Sequence, residues 1–167
     1  MSRAKRGQSD FSLVAIVAGH VPVKSCSDPV FTDPVFTWPV RVYWEDTDAG
    51  GVVYHASYLR FLERARSEWL RAQGVAQQRL RDEHGVMFVV RDLSVQFLVP
   101  ARLDNELHVT VESFTRRSAS IAFAQCILRP ADGAILVSAR VRTACIDAAS
   151  YRPCRIPDLL LAENHNA

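Results

Sequence analysis

The stretch Glu45-Asp-Thr-Asp-Ala-Gly-Gly51 sets three carboxylates and two adjacent glycines within seven residues, just before a segment with helical spacing. Such a run suits neither a helix nor a central strand, so it reads as a loop feeding a helix N-terminus. The first backbone N–H groups of a helix have no intrahelical partner and carry partial positive charge. Gly50 and Gly51 let the chain turn sharply and let a ligand come close to the backbone. A carbonyl placed there would meet amide donors on one side and a carboxylate on the other. Those are the parts of an acyl-transfer site, an oxyanion-stabilising pocket plus a base or nucleophile. The same residues also support a plainer reading, in which Asp48 caps the helix or closes an Asx-turn. Other catalytic patterns are absent. There is no Gly-x-Ser-x-Gly elbow, no Cys-x-x-Cys pair and no Cys–His cluster at zinc-ligand spacing.

The elements around this loop follow from periodicity. Val40, Val42 and Trp44 alternate with Arg41 and Tyr43, which predicts a short strand over 40–44. A helix of about five turns is expected from about His55 to Gln73, closed by Gly74. Its apolar positions Tyr58, Phe61, Leu62, Ala65, Trp69 and Leu70 recur every three or four residues and make one stripe. Four alternating runs follow, over Val86 to Pro100, Glu106 to Arg116, Ser118 to Arg129 and Ala134 to Asp147. Pro130-Ala-Asp-Gly133 is a turn, because Asp-Gly readily adopts the positive φ of tight hairpins. Asp158 to Glu163 has the makings of a terminal helical turn. One strand, one long helix and four strands joined by short turns make an α+β layout, an antiparallel sheet wrapped on a helix.

The chain has 167 residues, 49% of them hydrophobic and 23% charged, with a net charge of +2. That is one globular domain with a tail, and the charge balance argues against a nucleic-acid binder driven by bulk charge. No stretch reaches the 18 or so apolar residues that a membrane span requires. Residues 1–37 stand apart as a loosely ordered or disordered extension, dispensable for folding, with the organised domain over 38–167. They carry the tandem Asp28-Pro-Val-Phe-Thr32 and Asp33-Pro-Val-Phe-Thr37 and are punctuated by Pro22, Pro29 and Pro34. Arg3, Lys5 and Arg6 precede an apolar run from Phe11 to Ala18, but Asp10 interrupts it and no small-x-small cleavage site follows, against a signal peptide. Of the four cysteines, Cys126 and Cys145 lie in strand-like runs, where a free Cys behaves as a small apolar residue. Nothing in their spacing demands a disulfide, and a reducing, cytoplasmic compartment is the expectation.

The run Val42-Tyr-Trp-Glu-Asp-Thr-Asp-Ala-Gly-Gly-Val-Val-Tyr-His-Ala-Ser-Tyr-Leu-Arg-Phe-Leu-Glu-Arg-Ala-Arg66 resembles the signature of the hot-dog-fold 4-hydroxybenzoyl-CoA thioesterase family, and within it the tol–pal-associated (YbgC-type) acyl-CoA thioesterases. The similarity continues through Phe88-Val-Val-Arg-Asp-Leu-Ser-Val-Gln-Phe97 and Pro100-Ala-Arg-Leu-Asp104, then more loosely to about Pro157. It implies a hot-dog fold and hydrolysis of acyl-CoA thioesters without a metal or other cofactor. It makes Asp48, the second Asp of the motif, the catalytic carboxylate. The backbone amide of His55 would polarise the thioester carbonyl, with Gly51 and Tyr54 beside the substrate. Basic residues near the third and fourth strands, matched here by Arg116 and Arg117, would meet the phosphates of coenzyme A. The resemblance also implies a homodimer or homotetramer with the site where subunits meet, and contact with acyl carrier protein.

The remaining polar residues of this region divide by role. The His55 side chain is a second candidate for binding or proton transfer, although only its amide is implied by the resemblance. Glu63 is expected to be structural or secondary, and Asp46 to orient the loop. Two competing functions remain. One is a non-hydrolytic acyl-binding or scaffold protein linked to lipid synthesis or the cell envelope, against which the intact Asp48 speaks. The other is a hot-dog dehydratase, whose helix does not carry the Asp-Thr-Asp-Ala-Gly signature.

Overall fold

The structure, a computed structural model, describes residues 36–158. Its nine elements run β1 (Phe36–Arg41), a 3-10 turn (Trp44–Asp46), α1 (His55–Ala72), α2 (Gln77–His84), β2 (Val86–Phe97), β3 (Glu106–Val111), β4 (Ser113–Arg117), β5 (Ser120–Arg129) and β6 (Ala134–Asp147). The strands form one antiparallel sheet in the order β1-β3-β5-β6-β2, with β4 also pairing to β5. β3 and β4 are nearly one strand, broken at Glu112, whose N–H still reaches Ala124 O at 2.9 Å. The expected α+β hot-dog arrangement is therefore present: the sheet curves round the long helix.

The stripe on α1 does what its spacing implies. Tyr58, Phe61, Leu62, Ala65, Trp69 and Leu70 are all buried. The first half of the helix packs on Val42, Val53, Leu107, Val109, Ile127 and Val137. The second half packs on Val111, Ile121, Phe123, Val141, Cys145 and Ile156. Arg66 and Gln125 break the apolar pattern. Arg66 is buried, and its guanidinium donates to Gln125 Oε1 at 2.8 Å and to Glu63 Oε2 at 2.8 Å. Gln125 Nε2 in turn donates to Leu62 O at 3.2 Å and Thr110 O at 3.4 Å. Burial pushes the Arg66 pKa down, opposed by the Glu63 carboxylate beside it.

Besides strand ends that move by two or three residues, with β2 ending at Phe97 and β5 beginning at Ser120, three larger features differ from the sequence expectation. β1 occupies 36–41 and not 40–44, so it takes up Phe36 and Thr37 of the Pro-rich segment. Its register is set by pairing with β3, Phe36 opposite Val111 and Val40 opposite Leu107, which a short alternating run cannot reveal. β1 is an edge strand, and an edge tolerates Pro39. Second, the tract after Gly74 forms the short helix α2, which packs against β2 through Leu80; its other seven residues are polar or charged and concealed it. Third, the strand over 106–116 is split. The signal-peptide question, the first tandem copy and most of the terminal turn over 158–163 lie outside the described residues.

The buried pair gives a stability test. Gln125→Leu keeps the volume but strands the Arg66 guanidinium and the Leu62 carbonyl. It should lower unfolding free energy by about 1–3 kcal/mol. Urea titration followed by circular dichroism measures this, and an unchanged midpoint would mean that water or another group takes the place of Gln125.

Candidate active site

The chain leaves β1 at Arg41, buries Val42 completely, and turns at Trp44–Asp46. The Asp46 side chain is buried, at 4% exposure, and accepts the Tyr43 N–H at 3.0 Å and the Arg60 guanidinium at 3.2 Å. A tight turn follows. Thr47 bridges to Val53, Asp48 N–H donates to Val52 O at 3.0 Å, and Gly51 N–H donates to Asp48 O at 3.0 Å. Gly51 sits at φ +72°, where any side chain would strain the backbone although nothing crowds the position. Asp48 Oδ1 accepts the Gly50 N–H at 2.8 Å, an Asx-turn. Among the described residues no donor meets Asp48 Oδ2, and the side chain faces solvent.

Asp48 therefore closes a turn and does not cap the helix. The residue at the N-cap of α1 is Tyr54, in extended conformation with no side-chain cap, and the first turn of α1 contains no acid. Ser57 N–H is already spent on Tyr54 O at 2.8 Å, but the amides of His55 and Ala56 have no carbonyl within the helix to reach. An uncapped helix start with its dipole uncompensated is a donor site for a developing negative charge. Two ties hold it beside the Asp48 turn. Tyr54 N–H donates to Asp46 O at 2.8 Å. Val53 N–H donates to Ala101 O at 2.9 Å, and Ala101 N–H reaches the Tyr58 hydroxyl at 2.8 Å. Burial raises the Tyr58 pKa, so this phenol stays neutral and serves as an anchor.

The expected site residues separate into two groups. Asp48, Gly51, Tyr54 and His55 come together at the start of α1. The His55 ring stands against the Tyr54 ring, centroids 4.3 Å apart, and makes no hydrogen bond to Asp48. Arg116 and Arg117 lie elsewhere. They end β4, whose Phe114 packs on Trp69, fourteen residues along α1 from His55. At 1.5 Å per residue that is about 21 Å along the helix. Arg116 donates to Pro157 O at 3.4 Å, whereas Arg117 is exposed. Glu63 is tied to Arg66 and to the Ser67 hydroxyl, both at 2.8 Å. Arg60, which sequence reasoning passed over, joins the site as the partner of Asp46; as one arginine among several on the polar side of α1, it carried no signal.

Other chemistries find less support. Among the described residues no group of three or more His, Cys, Asp or Glu side chains could hold a metal ion. Cys145 and Cys154 approach with sulfurs 3.6 Å apart, but burial, reinforced by Cys154, pushes the Cys145 thiol up to about 12, far from a nucleophile at neutral pH. No helix among the described residues is long and apolar enough to cross a membrane.

Known proteins match this chain along the same elements. A family profile described as the thioesterase-like superfamily matches residues 42–163. The chain is 48% identical over 126 residues to the acyl-CoA thioester hydrolase YbgC of Escherichia coli O6:H1, covering 75% of this chain and 92% of that protein. It is 44% identical over 134 residues to the acyl-CoA thioesterase YbgC of Haemophilus influenzae, covering 80% and 97%. The crystal structure of a probable thioesterase from Bartonella henselae superposes with a TM-score of 0.68 at 39% identity, over 72% of this chain and 98% of that one.

The two glycines give separable tests. A Cβ on Gly50 would lie 3.0 Å from Asp48 Oδ1, so Gly50→Ala should displace that carboxylate and lower turnover with little change in stability. Gly51→Ala meets open space but the wrong φ, and should cost about 1–2 kcal/mol of stability. Thermal melts run beside thioester-hydrolysis assays distinguish the two; equal effects of both substitutions on both readouts would refute this account of the turn.

Proposed function

The chain belongs to the thioesterase-like superfamily, and we propose that it hydrolyses acyl-CoA thioesters to free acid and coenzyme A with Asp48 as its catalytic carboxylate. The observation that carries this reading is the pairing of an Asp48 oxygen that meets no donor among the described residues with the uncapped first turn of α1. The thioester carbonyl oxygen would rest on the amides of His55 and Ala56, which hold the negative charge that builds as the carbonyl carbon is attacked. Asp48 then acts by one of two routes. As general base it takes a proton from a water that adds to the carbon. As nucleophile it forms a mixed anhydride that water cleaves in a second step. In both, the electron pair of the breaking C–S bond leaves on sulfur. Thiols have pKa near about 8.5, so the thiolate departs without a strong acid beside it. That fits a site in which, among the described residues, no second acid–base side chain is hydrogen-bonded to Asp48.

The substrate reading extends to the subunit arrangement. We assign a homodimer built on the β2 edge. Among the described residues β2 pairs with β6 on one side only, and it is twelve residues long. Val90, Leu93, Phe97, Leu98 and Val99 along it and just beyond are all exposed. A long, apolar, unpaired edge is a template for another strand, and a second copy of this chain satisfies it. Since Arg117 lies a helix length from Asp48 in its own protomer, a phosphate contact to the same substrate would come from Arg117 of the second copy. We further propose that the protein works in the cytoplasm, with an acyl carrier protein as a second bearer of the same thioester linkage; the relatives' acyl-CoA substrate class supports this reading.

Two experiments test this. Asp48→Asn retains the turn-closing acceptor but loses the charge, so it should fold normally, bind acyl-CoA and lose about 10²–10⁴-fold in turnover. An early melt with near-normal turnover would make Asp48 a structural residue only. Leu93→Lys should shift the protein from dimer towards monomer in light scattering; an unchanged mass would move the interface away from β2.

A further inference from the structure

We propose that Asp46 and Arg60 form a positioning pair that sets the distance between the Asp48 carboxylate and the first amides of α1. The inference rests on the catalytic reading of Asp48.

The bonds inside the turn, from Asp48 N–H to Val52 O and from Gly51 N–H to Asp48 O, set Asp48 relative to Val53. They leave its relation to the helix open. The exit arm of the turn is anchored through Val53, Ala101 and the Tyr58 hydroxyl. Asp48 lies on the entry arm, and that arm is anchored by Asp46. The Asp46 carbonyl takes the Tyr54 N–H at 2.8 Å, and its carboxylate takes the Tyr43 N–H at 3.0 Å and Arg60 at 3.2 Å. One residue thus joins the chain before the turn, the residue at the helix N-cap and a side chain in the second turn of the helix.

Arg60 is built for this reach. Side chains on a helix lean towards its N-terminus, so a guanidinium from the second turn returns to the first. It also donates to the hydroxyl of buried Ser57 at 3.0 Å, which fixes its direction. Asp46 is almost fully buried while Arg60 is half exposed. Burying a carboxylate is unfavourable unless it is paired and hydrogen-bonded, and an uncharged turn residue would close the same 3-10 turn without that cost. The charged pair is explained if the entry arm must be held against the helix with little play. A displacement of about 1 Å between reacting groups can lower a rate by about 10²-fold.

The test compares full-length Asp46→Asn, Arg60→Gln, Arg60→Lys, Asp48→Asn and the double variant Asp46→Asn/Asp48→Asn, with butyryl-CoA and benzoyl-CoA as substrates. Asp46→Asn and Arg60→Gln should each lower kcat by about 10–100-fold while KM changes little. Arg60→Lys should recover part of the loss. Because the pair acts through Asp48, the double variant should be no slower than Asp48→Asn alone. Wild-type kcat in Arg60→Gln, or losses that multiply in the double variant, would overturn the proposal while the Asp48 assignment survives. Near-normal turnover in Asp48→Asn would instead remove the catalytic reading and this inference with it. Should Asp46→Asn fail to fold, the two substitutions at half-exposed Arg60 decide the matter.

Discussion

A helix start that is left uncapped is the constraint around which this protein is arranged. The first amides of a helix are ordinarily satisfied by a Ser, Thr, Asp or Asn side chain at the N-cap. Here Tyr54 holds that position and offers nothing, and no acid enters the first turn. The Asp48 carboxylate is turned back on its own loop by the bond from Gly50. The chain gives up a cap and keeps donors and carboxylate apart but adjacent. Such an arrangement suits a group that develops negative charge during reaction, because the donors are already oriented before it arrives.

Withholding the cap places the burden of order on the flanking chain. Val42 and Val53 are buried on either side of the turn and fasten it to the first half of the helix. Ala101, fully buried, receives one arm and is itself held by Tyr58. The deeper pair Arg66–Gln125 does a related job in the middle of the molecule. Gln125 links the guanidinium to the carbonyls of Leu62 and Thr110, so helix and sheet are fixed in register by directional bonds, whereas apolar packing alone is non-directional. The two halves of α1 consequently serve different ends: one carries the candidate site, and the other, with Trp69 against Phe114 and Phe123, carries packing.

Much of this was legible in the residues. The stripe on α1 and the last strand were readable to within a residue or so, because long, strongly periodic segments leave little choice. The loop and its carboxylates were legible because glycines and acids exclude regular structure there. Less was legible where partners decide. Trp44 looked like the end of a strand and is 79% exposed on a 3-10 turn, since pairing with β3 placed the strand earlier. Leu80 alone marks α2 as a packed element. Arg60 and Arg66 look alike in sequence, yet one lies half exposed beside Asp46 and the other is buried against Gln125.

The sequence by itself determined the class of fold, the family, the loop that feeds the helix and the residue types available for acyl chemistry. These follow from local pattern, which the chain carries before it folds. Only the tertiary structure decided that Asp48 closes a turn and does not cap, that Asp46 is the buried anchor and Arg60 its partner, and that Arg116 and Arg117 lie a helix length away. Each depends on which residues distant in sequence are brought together, and on which side chains burial forces to find a partner. Spacing along the chain holds no record of either.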